Sequence, residues 1–219
     1  MKTALLIGAT GLVGAHLLDQ LLRDDKFEKI IVFTRRLTGQ QHKKLNEVII
    51  NFDKTSEWKK QVKGDVLFST LGTTLRKAGS KAAQYKIDYT YQYNFAEAAA
   101  QNGVPGYVLV SSAYASPSSK IFYSRMKGEL ERDISQLSFE HISIIRPGIL
   151  AGDRKEKRLG EKLGLALMNV AYHIPGLSAW KPIHASIVAR AMINAYQHPT
   201  KPVNEYTLKD VFRLAEMNQ

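Results

Sequence analysis

Tyr123-Ser-Arg-Met-Lys127 places a phenol and an ammonium four residues apart. On a helix, positions i and i+4 project from one face. A lysine one turn away favours the tyrosinate form electrostatically, so the pair can work as a general acid and base. Ser111-Ser112 lies 12 and 11 residues ahead of the tyrosine, and a hydroxyl there can hold a substrate carbonyl. A second constellation, Gly8-Ala-Thr-Gly11-Leu-Val-Gly14, follows the apolar run Lys2 to Ile7. It precedes Leu12, Val13, Leu17, Leu18, Leu21 and Leu22 at helical spacing. A glycine turn between a strand and a helix lets backbone approach a pyrophosphate at the helix N-terminus, with Gly11 giving the close approach and Gly14 the helix–strand packing. A tight turn with no ligand is the alternative. No Gly-Lys-Ser/Thr follows any of these glycines, so a Walker A loop is excluded.

Such groups need a scaffold that brings distant segments together. Short β-branched runs recur at Ile30–Phe33, Val48–Ile50, Val66–Phe68, Tyr107–Val110 and Ile142–Ile145. Between and beyond them lie helical stretches at about 54–62, 80–102, 121–137, 156–172 and 184–197. Nearly continuous apolar strands alternating with helices predict a doubly wound α/β parallel sheet covered on both faces. No linker separates domains, so residues 1–219 read as one domain. Residues 148–219 show no clear strand pattern except around Tyr206 and read as a small substrate-side lobe.

About 20 residues beyond Gly14, where an NAD-binding unit carries an acid for the ribose 2′-hydroxyl, the sequence has Phe33-Thr34-Arg35-Arg36. Two guanidinium groups suit a 2′-phosphate, which favours NADP(H) over NAD(H). Two arginines solvated at a strand end is the other reading. Asp53, just after the third strand, can accept from an adenine amino group or cap a helix.

Composition narrows the classes. The chain is 44% hydrophobic and 23% charged, in the range of an ordinary globular domain, and has no cysteine for a disulfide, a thiol nucleophile or a Cys-based metal site. Its formal net charge of +11 raises the question of nucleic acid. The excess is spread evenly along the chain, without a basic arm or a helix-turn-helix, zinc-finger or RNP pattern, so neither nucleic acid nor membrane is expected as a partner. The apolar stretch Thr3 to Leu18 is broken by glycines and His16, and Met1-Lys2 is a thin n-region with no cleavage site behind it, so the chain is expected to be cytoplasmic. The six histidines show no close metal-ligand spacing, and no Gly-x-Ser-x-Gly elbow marks a hydrolase.

The ordered set of glycine turn, Ser-Ser, Tyr-x-x-x-Lys and Arg146-Pro147-Gly148 resembles the atypical or extended short-chain dehydrogenase/reductase superfamily. Leu71-Gly-Thr-Thr74, Lys77-Ala-Gly79, Ile87-Asp88, and Arg146 to Leu150 with Asp153-Arg154 look closest to the Tat-interacting-protein oxidoreductases and their bacterial relatives. The likeness spans Lys2 to about His198 and is weakest at 155–182. It implies a Rossmann fold in which Gly8, Thr10, Gly11, Leu12, Val13 and Gly14 wrap the pyrophosphate. It also implies that Thr34, Arg35 and Arg36 take the 2′-phosphate, Asp53 faces adenine, Thr70, Leu71 and Gly72 line the ribose, and Ser111 and Pro147, Gly148 and Ile149 border the nicotinamide. Ser112, Tyr123 and Lys127 are the implied catalytic triad, with Tyr123 and Lys127 also touching the cofactor. Two departures stand out. Asp88 occupies the place where many members carry an asparagine of a proton relay, and only about 70 residues follow Gly148, which argues against a nucleotide-sugar epimerase or dehydratase. The expectation is reduction of a small carbonyl substrate. The rival is a non-catalytic NADP(H)-binding regulator that acts through a protein partner.

Overall fold

The computed structural model describes residues 1–151 and 182–217. Strands β1 (Lys2–Ile7), β2 (Phe27–Thr34), β3 (Leu45–Ile49), β4 (Val66–Ser69), β5 (Gly106–Val110) and β6 (His141–Arg146) follow in chain order, with two-residue strands β7 (Leu150–Ala151) and β8 (Ile183–His184) and a last strand β9 (Val203–Thr207). The main sheet runs β3-β2-β1-β4-β5-β6-β9, and every pairing in it is parallel. β7 and β8 pair with each other.

The order reverses between β1 and β4, and in open α/β sheets ligands bind outside the carboxyl ends of the strands at such a switch point. Parallel pairing sends every strand's C-terminal end to the same edge. The glycine turn after β1, Arg35 and Arg36 after β2, Thr70 to Thr73 after β4, Ser111 and Ser112 after β5, and Pro147 to Ile149 after β6 therefore share one rim.

Helices cover both faces. On one side α1 (Leu12–Arg23) packs on helix α7 (Ala185–Gln197), over Leu6, Phe27, Val32 and Phe68. The other core gathers Ile7, Phe33, Trp58, Phe95, Tyr107 and Leu109. Trp58 stacks on Phe95 with ring centroids 3.9 Å apart. With a core on each face, the central strands are buried on both sides.

Several expected elements change in detail. The 54–62 stretch is a four-residue helix α2 (Thr55–Trp58) followed by a 3-10 turn. A short α3 (Leu75–Ala78) precedes the expected 80–102 helix, which is interrupted: α4 (Lys81–Tyr85) passes through a π turn at Lys86–Thr90 into α5 (Tyr91–Gln101). The helix bearing Tyr123 and Lys127 is α6 (Phe122–Ile134). The expected helix 156–172 lies outside the described residues, as do residues 152–181 and 218–219 of the 148–219 lobe. Of that lobe's described residues, β9 extends the main sheet beside β6, and α8 (Lys209–Glu216) packs on α7.

Candidate active site

At the glycine turn, Gly8 has φ +87. Any Cβ there would come within 2.6 Å of the Leu71 amide nitrogen and the Thr70 carbonyl carbon, so the turn after β1 lies directly against the turn after β4. The Gly11 amide donates to the Gly8 carbonyl at 2.9 Å, and Thr70 Oγ1 donates to the Ile7 carbonyl at 2.8 Å. Gly11 is the N-cap of α1 in extended backbone and has no side chain to satisfy the first amides of the helix. This leaves a bare, amide-lined cradle at a positive helix end. Thr10 and Gly11 are exposed there, Leu12 is half-buried, and Val13 and Gly14 are buried, so those two can meet a ligand only through backbone.

Thr34 is buried at the end of β2, and its hydroxyl donates to the Arg36 carbonyl at 2.8 Å. That bond turns the chain so that Arg35 and Arg36 both stand exposed, and neither guanidinium is engaged by another described residue. Asp53 is placed differently from a free adenine acceptor. Its Oδ1 binds Lys86 Nζ at 2.6 Å and accepts from the Tyr91 hydroxyl at 2.9 Å. Hydrogen bonds from Lys86 and then Tyr91 hold the Asp53 carboxyl below the usual carboxylate range. The N-cap of α2 is Lys54, so Asp53 does not cap that helix. Gly72 is exposed, with Thr70 and Leu71 half-buried beside the glycine turn.

The catalytic candidates gather at the β5 and β6 ends. The Ser111 amide donates to the Ile145 carbonyl at 2.8 Å, and the Ala113 amide to the Pro147 carbonyl at 3.1 Å, which ties the two strand ends together. Ser111 Oγ is buried without a partner among the described residues, and Ser112 is half-buried beside it. Pro147 is buried, Gly148 half-buried and Ile149 exposed. Tyr123, in the first turn of α6, is 39% exposed, whereas Lys127, one turn on, is 2% exposed. The Tyr123 side chain is thus open to solvent, and that of Lys127 is enclosed. Gly128 lets the 116–117 backbone cross α6 there, since a Cβ at that position would run into Ser116 and Pro117.

Two charge pairs were not legible beforehand. Lys127 Nζ stands 3.6 Å from Asp88 Oδ1, with both side chains almost wholly buried. Arg146 closes a fork on Glu131 of α6, with contacts of 3.1, 3.2 and 2.6 Å, and reaches Glu205 of β9 at 2.7 Å. The fork fixes α6 against the end of β6. In the sequence Arg146 stands out only as the head of Arg-Pro-Gly; the available signal is an arginine before such a turn with Glu131 one turn past Lys127.

A model of the NAD dependent epimerase/dehydratase family matches residues 4–133. The chain belongs to that family. Membership carries the superfamily resemblance, the Rossmann fold and the coarse activity, that of an NAD(P)-dependent enzyme of short-chain dehydrogenase/reductase type. Among curated relatives, the family member "Protein fmp52-1, mitochondrial" of Aspergillus terreus is 36% identical over 204 residues, covering 89% of this chain and 87% of its own. "Protein FMP52, mitochondrial" of Candida albicans is 37% identical over 198 residues, covering 88% and 86%. Both names place those proteins in mitochondria, which overturns the expectation of a cytoplasmic chain. Met1-Lys2 and the broken apolar run were too slight a basis for a location. The Bordetella bronchiseptica enzyme WbmH, solved in complex with NAD+, aligns with TM-score 0.71 at 14% identity, covering 94% of this chain and 75% of that one, a likeness of fold.

Proposed function

We propose that this family member is an NADP(H)-dependent reductase of small carbonyl compounds. The observation that carries the reading is the contrast on α6, an accessible Tyr123 and a buried Lys127 one turn on, in a chain whose Ser111 and Ser112 follow the end of β5.

The residues present fit a nicotinamide dinucleotide. The cradle at Gly8 would be filled by any Cβ, the bare N-terminus of α1 suits a pyrophosphate, and Ser111 Oγ is an orphaned polar atom at the adjoining strand end. Arg35 and Arg36, both exposed and uncommitted, suit a 2′-phosphate. When bound, the cofactor supplies the hydride. Ser112 donates a hydrogen bond to the carbonyl oxygen and orients it. Tyr123 donates its proton to that oxygen as negative charge develops there. Lys127 stabilises the tyrosinate left behind and reaches the nicotinamide ribose. Residues 148–219 are assigned in the same proposal to the substrate side of a single domain, with Gly148 and Ile149 at its start.

Titrating NADPH and NADH by fluorescence or calorimetry tests the cofactor assignment. An arginine–phosphate contact contributes about 1.5–3 kcal/mol, so NADPH should bind at least about tenfold tighter. Equal affinities overturn the NADP(H) preference.

A further inference from the structure

We propose that Asp88 is a positioning residue of the reaction: its buried carboxylate fixes the Lys127 ammonium behind Tyr123 and keeps that lysine charged. The proposal rests on the reading of Tyr123 and Lys127 as the acid/base pair, and it adds a residue to it.

The geometry begins with an irregularity. Between α4 and α5 the chain makes a π turn, and Asp88 is the acidic residue in that turn, 1% exposed. π turns inside helices are rare and are frequently found at functional sites. The π turn packs on α6, and Asp88 meets that helix at Lys127. Its two oxygens then meet two donors from different parts of the chain. Oδ2 accepts from the Thr73 amide at 2.9 Å, and Oδ1, which has no other hydrogen-bond partner, stands 3.6 Å from Lys127 Nζ. The Asp88 carbonyl is held separately, accepting from Gln92 Nε2 at 2.6 Å, while Gln92 Oε1 accepts from Ser69 at 2.7 Å. The carboxylate is therefore anchored from the β4 end and aimed at one cation.

Among the described residues, the other carboxylates of the middle of α6 are paired elsewhere. Across from α6, Tyr85 donates to Glu129 at 3.1 Å and Tyr89 to Asp133 at 2.6 Å. Glu131, one turn along α6, is bound by Arg146 of β6. Tyr123 lies on the solvent side. Among the described residues, Asp88 is the one carboxylate recorded at Lys127. Burial pushes the Asp88 carboxyl above its ordinary range, opposed by Lys127 and by the Thr73 amide. Each charge of the pair thus depends on the other, because an uncompensated buried ion is costly.

An asparagine would not reproduce both contacts made by Asp88 in this chain. Two donors converge on Asp88, and an amide offers one acceptor and two further donors. Asp88→Asn therefore either loses the Thr73 bond or turns an NH2 toward the ammonium. A buried lysine without its counter-ion gives up its proton more readily.

The test follows Lys127 directly in the full-length protein without cofactor, by NMR of lysine labelled with 13C at Cε, the Lys127 signal being assigned with Lys127→Arg. In Asp88→Asn the neutral fraction of Lys127 at a given pH should rise at least about tenfold over wild type. A rate–pH profile for NADPH-dependent reduction should then match wild type best in acid and fall away as pH rises, in kcat more than in KM. If Asp88→Asn does not fold, the double variant Asp88→Asn/Lys127→Met should, because no charge is left unpaired, and it should be more stable than Asp88→Asn alone. An unchanged Lys127 titration, or a double variant no more stable than the single, overturns the proposal. The NMR and stability measurements need no turnover, so a shifted lysine in a protein that reduces no carbonyl would sink the reductase reading and leave the pairing intact.

Discussion

The rim of the sheet treats its charges in two opposite ways. Around β1 and β2, Arg35 and Arg36 stand exposed and unpaired among the described residues, and the N-terminus of α1 has no side-chain cap. Around β5 and β6, the cations are internal and matched, Lys127 with Asp88 and Arg146 with Glu131. On the proposed reading, charge that meets a ligand's phosphates stays free until the ligand arrives. Charge that holds the helix bearing Tyr123 must be satisfied in the protein itself, since an unpaired buried ion costs several kcal/mol. Binding and positioning are thus separated along one edge.

Breaking the positioned half should have the largest effect on stability. Glu131→Ala leaves Arg146 with only the more exposed Glu205 and should cost about 3 kcal/mol, read by denaturant unfolding. It should also lower turnover by loosening α6 against the end of β6. A loss under about 1 kcal/mol would mean that the fork contributes no more than a surface pair.

Breaking the free half should do the reverse. Arg35→Ala and Arg36→Ala should each leave stability within about 0.5 kcal/mol of wild type, as surface substitutions do. Each should narrow the NADPH-over-NADH preference, together removing roughly tenfold or more. The preference should also shrink as salt is added, since exposed charges are screened. A large drop in melting temperature from either arginine variant would contradict the division.

The fold was legible because its signals are local. β1, β4, β5 and β6 are apolar runs, the glycine turn follows β1 immediately, and Tyr123 and Lys127 are one helical turn apart. The Asp88–Lys127 pair was not legible in that way. It joins residues from separate helices and depends on a π turn, which no periodicity marks; Asp88 could be noticed only as an acid where an asparagine was expected. The partners of Asp53 are not legible for a similar reason, since Lys86 and Tyr91, which meet its Oδ1, come from the same irregular helix. Strand β9 shows little alternation because it is an edge strand of mixed burial, and its place beside β6 is set by tertiary pairing.

The smallest expected effect lies away from the rim. His141 begins β6, stacked on Tyr196, and burial holds its imidazole below the ordinary histidine range. The unfolded chain therefore binds a proton more readily than the folded one. Stability should fall as pH drops below about 6.5 and through the lowered folded value, then level off. His141→Phe should flatten that slope in unfolding curves taken at several pH values, while leaving the Asp88 and Lys127 titrations unmoved. An unaltered slope would place the acid sensitivity elsewhere.

The central claim is that Tyr123 is the proton donor of a reductase, and single-turnover NADPH oxidation against a panel of small aldehydes and ketones tests it most directly when wild type and Tyr123→Phe are run side by side. Wild type should oxidise NADPH with at least one of these substrates. Tyr123→Phe should lose about 10²-fold or more of that rate while binding NADPH within a few-fold of wild type. A wild-type protein that binds NADPH and turns over none of the panel, or a Tyr123→Phe protein that reduces as fast as wild type, would contradict it.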